Sequence, residues 1–169
     1  WDEFDLPSVR LVYFGGALGP LTILEEFAEA VNRPIDFVQI YGLTEGGPFA
    51  TIAPPETVKA KPKSIGKPVP GVQVEIIDPE TGERVPDGEV GEIVLRSATV
   101  MSGYWRNPEA TAQALRDGWL HTGDLGVRDA EGDIEIVDRL KDMIRTGGEN
   151  VYAAEVERVL VSHPEVVEA

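Results

Sequence analysis

The 169-residue chain carries 30 acidic against 15 basic side chains, a formal net charge of −15, with 42% hydrophobic residues. That acidity argues against nucleic acid and anionic lipid as partners, which its long-range field repels, while the apolar content suffices for a packed core. There is no cysteine and only two histidines, His121 and His163, which excludes disulfides, thiolate zinc sites and a Cys nucleophile and speaks against a His-built metal centre. No apolar run approaches the roughly 18 residues of a membrane-spanning helix, and no secretory signal opens the chain. A start at Trp1-Asp2-Glu3 without Met suits a chain cut from a longer one, and the expected location is the cytoplasm. An anionic ligand would need local donors in such a chain: Gly-rich backbone, a metal ion, or a few placed Lys and Arg.

Val9 to Phe14 is a short apolar run, expected to be a buried strand ending at Gly15-Gly16. Pro20 can open a helix, and Leu21, Leu24, Phe27, Ala28 and Val31 recur at helical spacing until Asn32 and Pro34. Ile35 to Ile40 is a second strand, so the first part predicts strand–helix–strand, a unit of a parallel α/β sheet. After Gly47, Pro54, Pro55, Pro62, Pro68 and Pro70 predict extended loop. Val72 to Ile77 and Glu92 to Leu95 predict strands of a small antiparallel sheet or barrel, with turns at Asp78–Gly82 and Pro86–Gly88. Asn107 to Arg116 predicts a helix closed by Asp117-Gly118. Trp119 to Val127 and Asp133 to Val137 predict a hairpin around Asp129–Gly132, and Ala153 to Val161 predicts a helix.

Several junctions have residue types suited to a nucleotide. Tyr41-Gly42-Leu43-Thr44-Glu45-Gly46-Gly47 follows a predicted strand, where open parallel sheets bind ligands. An aromatic ring can stack on a base, Thr can bond phosphate, and Glu can hold Mg²⁺; a solvated surface loop fits the spacing equally well. Phe14-Gly15-Gly16-Ala17-Leu18-Gly19 is by itself better read as a tight turn, since it matches neither the Walker nor the Rossmann pattern. Asp124, after Thr122-Gly123, could accept both hydroxyls of a ribose or simply be a turn residue. Asp138-Arg139-Leu140-Lys141-Asp142 alternates charge, as a solvated edge strand with local ion pairs would.

In their order and spacing, Gly15-Gly16-Ala17, Tyr41-Gly42-Leu43-Thr44-Glu45, Gly91-Glu92-Ile93, Gly103-Tyr104-Trp105, Thr122-Gly123-Asp124, Asp138-Arg139-Leu140-Lys141 and Gly147-Gly148-Glu149-Asn150-Val151-Tyr152 resemble the adenylate-forming superfamily. The Gly-Gly-Glu-Asn-Val-Tyr form resembles its acyl- or aryl-CoA synthetases in particular. The resemblance implies an α/β plus β fold: residues 1–138 as the end of the large AMP-binding domain, with its parallel α/β unit and barrel-like subdomain, and 139–169 as the hinge and beginning of a small α+β domain. It implies an ATP-dependent acid–thiol ligase using Mg²⁺ and CoA, with a small carboxylic acid as substrate. Gly15, Gly16 and Ala17 would border the adenine and acyl pocket; Tyr41 and Gly42 would flank adenine; Thr44 would contact phosphate and Glu45 hold Mg²⁺. Asp124 would accept the ribose hydroxyls, with Arg139 assisting; Lys141 would be the hinge, and Gly147 and Gly148 would line the CoA channel. The family's phosphate loop and late catalytic Lys have no counterpart here, and Lys59, Lys61, Lys63 and Lys67 stand in the wrong place to replace the latter. The chain is therefore expected to be an internal fragment, inactive alone. A carrier-protein-loading adenylation domain and a non-catalytic nucleotide-binding module are the alternatives.

Overall fold

The computed structural model describes residues 8–16, 21–31, 34–147, 149–163 and 165–166. In chain order the elements are β1 (Leu11–Gly15), α1 (Leu21–Val31), β2 (Asp36–Leu43), β3 (Gly47–Ala53), α2 (Pro55–Ala60), β4 (Ser64–Pro68), β5 (Gln73–Ile77), β6 (Val90–Arg96), α3 (Pro108–Ala114), β7 (Leu115–Arg116), β8 (Trp119–Arg128), β9 (Ile134–Arg139), β10 (Ile144–Thr146), β11 (Glu149–Val151) and α4 (Ala153–Val161).

The expected strand–helix–strand unit is present, but β1 is not the buried strand expected: Leu11 and Tyr13 are 44% and 55% exposed. β1 and β2 pair in parallel from Leu11↔Asp36 to Gly15↔Ile40, as strands joined through a helix can. Phe27 of α1 meets Phe37 of β2 edge to face, with ring centroids 6.4 Å apart. β2 runs further than its apolar content suggests: Tyr41, Gly42 and Leu43 belong to the strand, and the turn proper is Thr44–Gly46.

The proline-rich stretch is not the expected extended loop. It folds as β3, α2 and β4, with the prolines as punctuation. Pro55 opens α2, where its missing N–H costs nothing, and Pro68 ends β4. β4 pairs with β3 through Thr51↔Pro68 and Ile52↔Lys67, and with β9 through Ser64↔Glu135 and Gly66↔Ile134. It thereby joins the first strands to the antiparallel ones in a single path, β1-β2-β3-β4-β9-β8-β6-β5, with β7 alongside β8. Gly66 makes this switch possible. Its φ is +78°, and a Cβ there would lie 1.9 Å from the Ile52 carbonyl oxygen.

The core lies beneath the antiparallel part. Ile65, Ile93, Leu95, Leu120 and Ile134 are each at most 1% exposed, and Tyr41 packs with them. Burying each such aliphatic side chain contributes about 1.5–3 kcal/mol.

The helix expected over Asn107–Arg116 is shorter. Asn107 Oδ1 accepts from Ala110 N to cap α3, but Leu115 and Arg116 pair with Leu120 and Trp119 as β7. The Asp117-Gly118 turn, with φ of 52° and 77°, is the two-residue hairpin type whose twist suits strands, so it draws its flanks into a ladder. Asp138 is likewise not on a solvated edge. It is 8% exposed, Oδ1 accepts from Arg139 N at 2.7 Å, and Oδ2 accepts from Ala154 N at 3.2 Å at the start of α4. Beyond it, β10 and β11 form a separate hairpin, tied back by an Arg145–Glu80 ion pair. Among the described residues, no helix is long and apolar enough to cross a membrane.

Candidate functional site

A cavity of about 390 Å³ opens beyond the carboxyl end of the parallel pair and is lined by Gly16, Gln39, Tyr41, Gly42, Asp124 and Arg139, with Ile65 and Ile136 as apolar wall. Gly15 ends β1 beside it. Residues more than 80 positions apart meet here: Tyr41 Oη donates to Asp124 Oδ2 at 2.7 Å. Arg139 Nε donates to Asp124 Oδ1 at 3.2 Å, because β8 and β9 pair Asp124 directly with Arg139. Asp124 is thus no turn residue; it lies within β8. Burial and, secondarily, the Asp124 charge push the Tyr41 hydroxyl far above its ordinary range, so it stays a donor.

Thr44 and Glu45 sit on the turn after β2 and are not among the cavity-lining residues. That turn is clamped from the segment following β6. Thr99 Oγ1 donates to Gly46 O at 2.7 Å, Met101 N to Glu45 O at 2.7 Å, and Tyr104 Oη to Glu45 Oε1 at 2.8 Å. The Glu45 carboxylate offers oxygen of the kind Mg²⁺ takes, with one of its oxygens already accepting from Tyr104 Oη. Lys141 is exposed in the turn after β9, and Gly147 lies in the β10–β11 turn; neither lines the cavity. Ala17 and Gly148 lie outside the described residues.

The sequence alone did not mark Gln39. It is 2% exposed, lines the cavity, and its Oε1 has no hydrogen-bond partner. A buried amide oxygen left unsatisfied is costly unless a ligand N–H meets it. Its only sequence signal is a polar residue inside the apolar run Phe37–Ile40. Elsewhere, carboxylate oxygens of Asp129, Glu131 and Asp133 lie within 4.8 Å of one another, but Lys61 Nζ is bonded to all three at 2.5, 2.5 and 3.0 Å. The ammonium already supplies the cation.

The chain matches the family model described as AMP-binding enzyme over residues 2–105. It is 45% identical over 166 residues to a feruloyl-CoA synthase of an Amycolatopsis species, covering 98% of this chain and 33% of that protein. Among solved structures it is similar to the o-succinylbenzoate CoA synthetase of Bacillus subtilis in complex with its acyl-adenylate intermediate. There the TM-score is 0.85 at 38% identity, covering 99% of this chain and 34% of that one. The same Bacillus subtilis enzyme in complex with ATP and magnesium ion gives 0.84 at 37% identity, again over 99% and 34%. The chain thus spans about a third of the length of each of these relatives.

Proposed function

This chain belongs to the AMP-binding enzyme family, and we propose on that premise that it forms the adenosine-holding part of an ATP-dependent acid–thiol ligase. In that reaction a carboxylate oxygen attacks the α-phosphorus of ATP and pyrophosphate leaves. The thiol sulfur of CoA then attacks the acyl carbonyl and AMP departs. The observation that carries the reading is the convergence of Tyr41, Asp124 and Arg139 on one cavity at the end of the parallel strands.

Each side chain there has a task that its chemistry supports. The Asp124 carboxylate offers about four acceptor sites, of which Tyr41 and Arg139 take two, leaving two for the vicinal hydroxyls of a ribose. Arg139 lies against the same carboxylate and assists at the ribose. Gly16, where a Cβ would meet open space, leaves room for the base, while Gly15 and Gly42 let the strands beside it pack closely, and the free Gln39 Oε1 suits an exocyclic amine such as that of adenine. Thr44 contacts phosphate, and Glu45 holds Mg²⁺. The metal supplies charge neutralisation at the phosphates.

Residues 1–138 then belong to the nucleotide-holding domain and 139–169 to a second one, with Lys141 as the hinge between them. Gly147 and Gly148 stand where the CoA arm would pass. We assign the reaction to the cytoplasm, with a small carboxylic acid, ATP and CoA as its molecular partners.

The test is Asp124→Ala in the full-length protein carrying this chain, followed by AMP release with CoA and a carboxylic acid. Losing a bidentate charged acceptor should raise KM for ATP by about tenfold or more. An unchanged ATP dependence would remove the ribose assignment.

A further inference from the structure

The Gly91-Glu92-Ile93 segment has no part in the reading above, yet it lies directly against Thr122-Gly123-Asp124. β6 and β8 pair as Glu92↔Leu125 and then as Val94↔His121, so a single residue, Ile93, faces Thr122, Gly123 and Asp124. Two additional residues in one strand make a bulge larger than the common two-against-one kind, and a bulge leaves ladder groups to be satisfied otherwise.

The bonds that satisfy them come from two side chains. Gly123 N donates to Glu92 Oε1 at 3.1 Å. Thr122 Oγ1 donates to Ile93 O at 2.7 Å and accepts from Asp124 N at 3.0 Å. Gly123 has φ +72°, the conformation that reverses the chain within the bulge, and its carbonyl accepts from Leu140 N at 2.8 Å. Glu92 is only 2% exposed. A buried carboxylate is weak evidence for stability by itself, because desolvation opposes what its partners contribute. Here the partners are at hand: His121 Nδ1 is 2.8 Å from Oε2, and Arg116 Nη2 lies 3.8 Å from Oε2. Glu92 thus anchors the bulge on one oxygen and is itself held on the other.

We propose that Glu92 and Thr122 are positioning residues that hold the Thr122–Asp124 bulge in the form presenting the Asp124 carboxylate to vicinal ribose hydroxyls, and so set the preference for ribonucleotides over deoxyribonucleotides. This rests on the ribose reading of Asp124. Without these bonds the N–H groups of Gly123 and Asp124 lose the partners that fix the bulged backbone from which the Asp124 carboxylate projects.

The test compares affinities for AMP and 2′,3′-dideoxy-AMP by calorimetry, in the full-length protein carrying this chain. The wild type should prefer AMP by about tenfold or more. Glu92→Ala and Thr122→Val should reduce that preference to within about threefold. Glu92→Gln, which keeps an oxygen for Gly123 N–H, should retain most of it. A variant that only lowers stability would leave the ratio of the two affinities unchanged. If Asp124→Asn loses the preference while folded Glu92→Ala or Thr122→Val keeps it, the proposal is overturned and the ribose reading stands. If the wild type shows no preference, both fall. Should Glu92→Ala not fold, Thr122→Val alone decides by the same criterion.

Discussion

Two groups already occupy the Asp124 carboxylate in the folded chain, the Tyr41 phenol on Oδ2 and the Arg139 guanidinium on Oδ1. Tyr41 is 8% exposed, so its hydroxyl has little water to turn to. Tyr41→Phe should therefore lower unfolding free energy by about 1.5–3 kcal/mol in urea titrations, the range for a hydrogen bond to a charged group. The pH dependence has a definite sign. Burial first, then the Asp124 charge, raise the folded-state value of the Tyr41 hydroxyl above that of the unfolded chain. Its contribution is fully present below about pH 10 and is lost as pH rises from there towards the folded value. Urea midpoints between about pH 9 and pH 11 should fall more steeply for wild type than for Tyr41→Phe; equal slopes would discard this account. At this scale Tyr41 and Asp124 were legible from residue type beside Gly, whereas Arg139 was marked only by the family resemblance. Gln39 and Glu92 were not legible, because each is a polar residue in an apolar run whose purpose depends on partners distant in sequence.

The element that decides the architecture is β4, a short strand with neighbours on both edges. A Cβ at Gly66 would collide with backbone, which cannot move as a side chain tip can. Gly66→Ala should cost about 3 kcal/mol or more, since positive φ and a backbone clash add; a thermal melt within a degree or so of wild type would refute it. Periodicity foretold β1, α1, β2, β5, β6, β8, β9 and α4 closely. It failed between Gly47 and Pro68, where prolines at element ends were read as loop, and at Leu115-Arg116, where turn chemistry overrode helical spacing. The bulge at Thr122–Asp124 was also invisible, because a local window cannot show that β6 and β8 differ in length across it.

Taken whole, the molecule carries twice as many acidic as basic side chains. Exposed pairs such as Lys59–Asp36 and Lys63–Glu135 contribute little to stability and are screened by salt, whereas the excess negative charge repels itself over longer range. The repulsion should win. Raising ionic strength from about 10 mM to about 0.15 M should raise the melting temperature by a few degrees, and a fall would mean that the ion pairs dominate. The composition made this legible from the outset. It could not show that Lys61 pairs with Asp129, Glu131 and Asp133 at once, since that depends on α2 and the β8–β9 turn meeting in space.

Asp138 and Arg139 are neighbours on β9 that serve opposite sides: one holds the start of α4 through Ala154 N, the other meets Asp124. Anyone grafting a different C-terminal portion onto this chain should therefore avoid a seam between 138 and 139. Such a chimaera would take its helix anchor from one parent and its carboxylate partner from the other, and a single inserted residue would exchange their faces. A join after Ala154 keeps both matches within one parent.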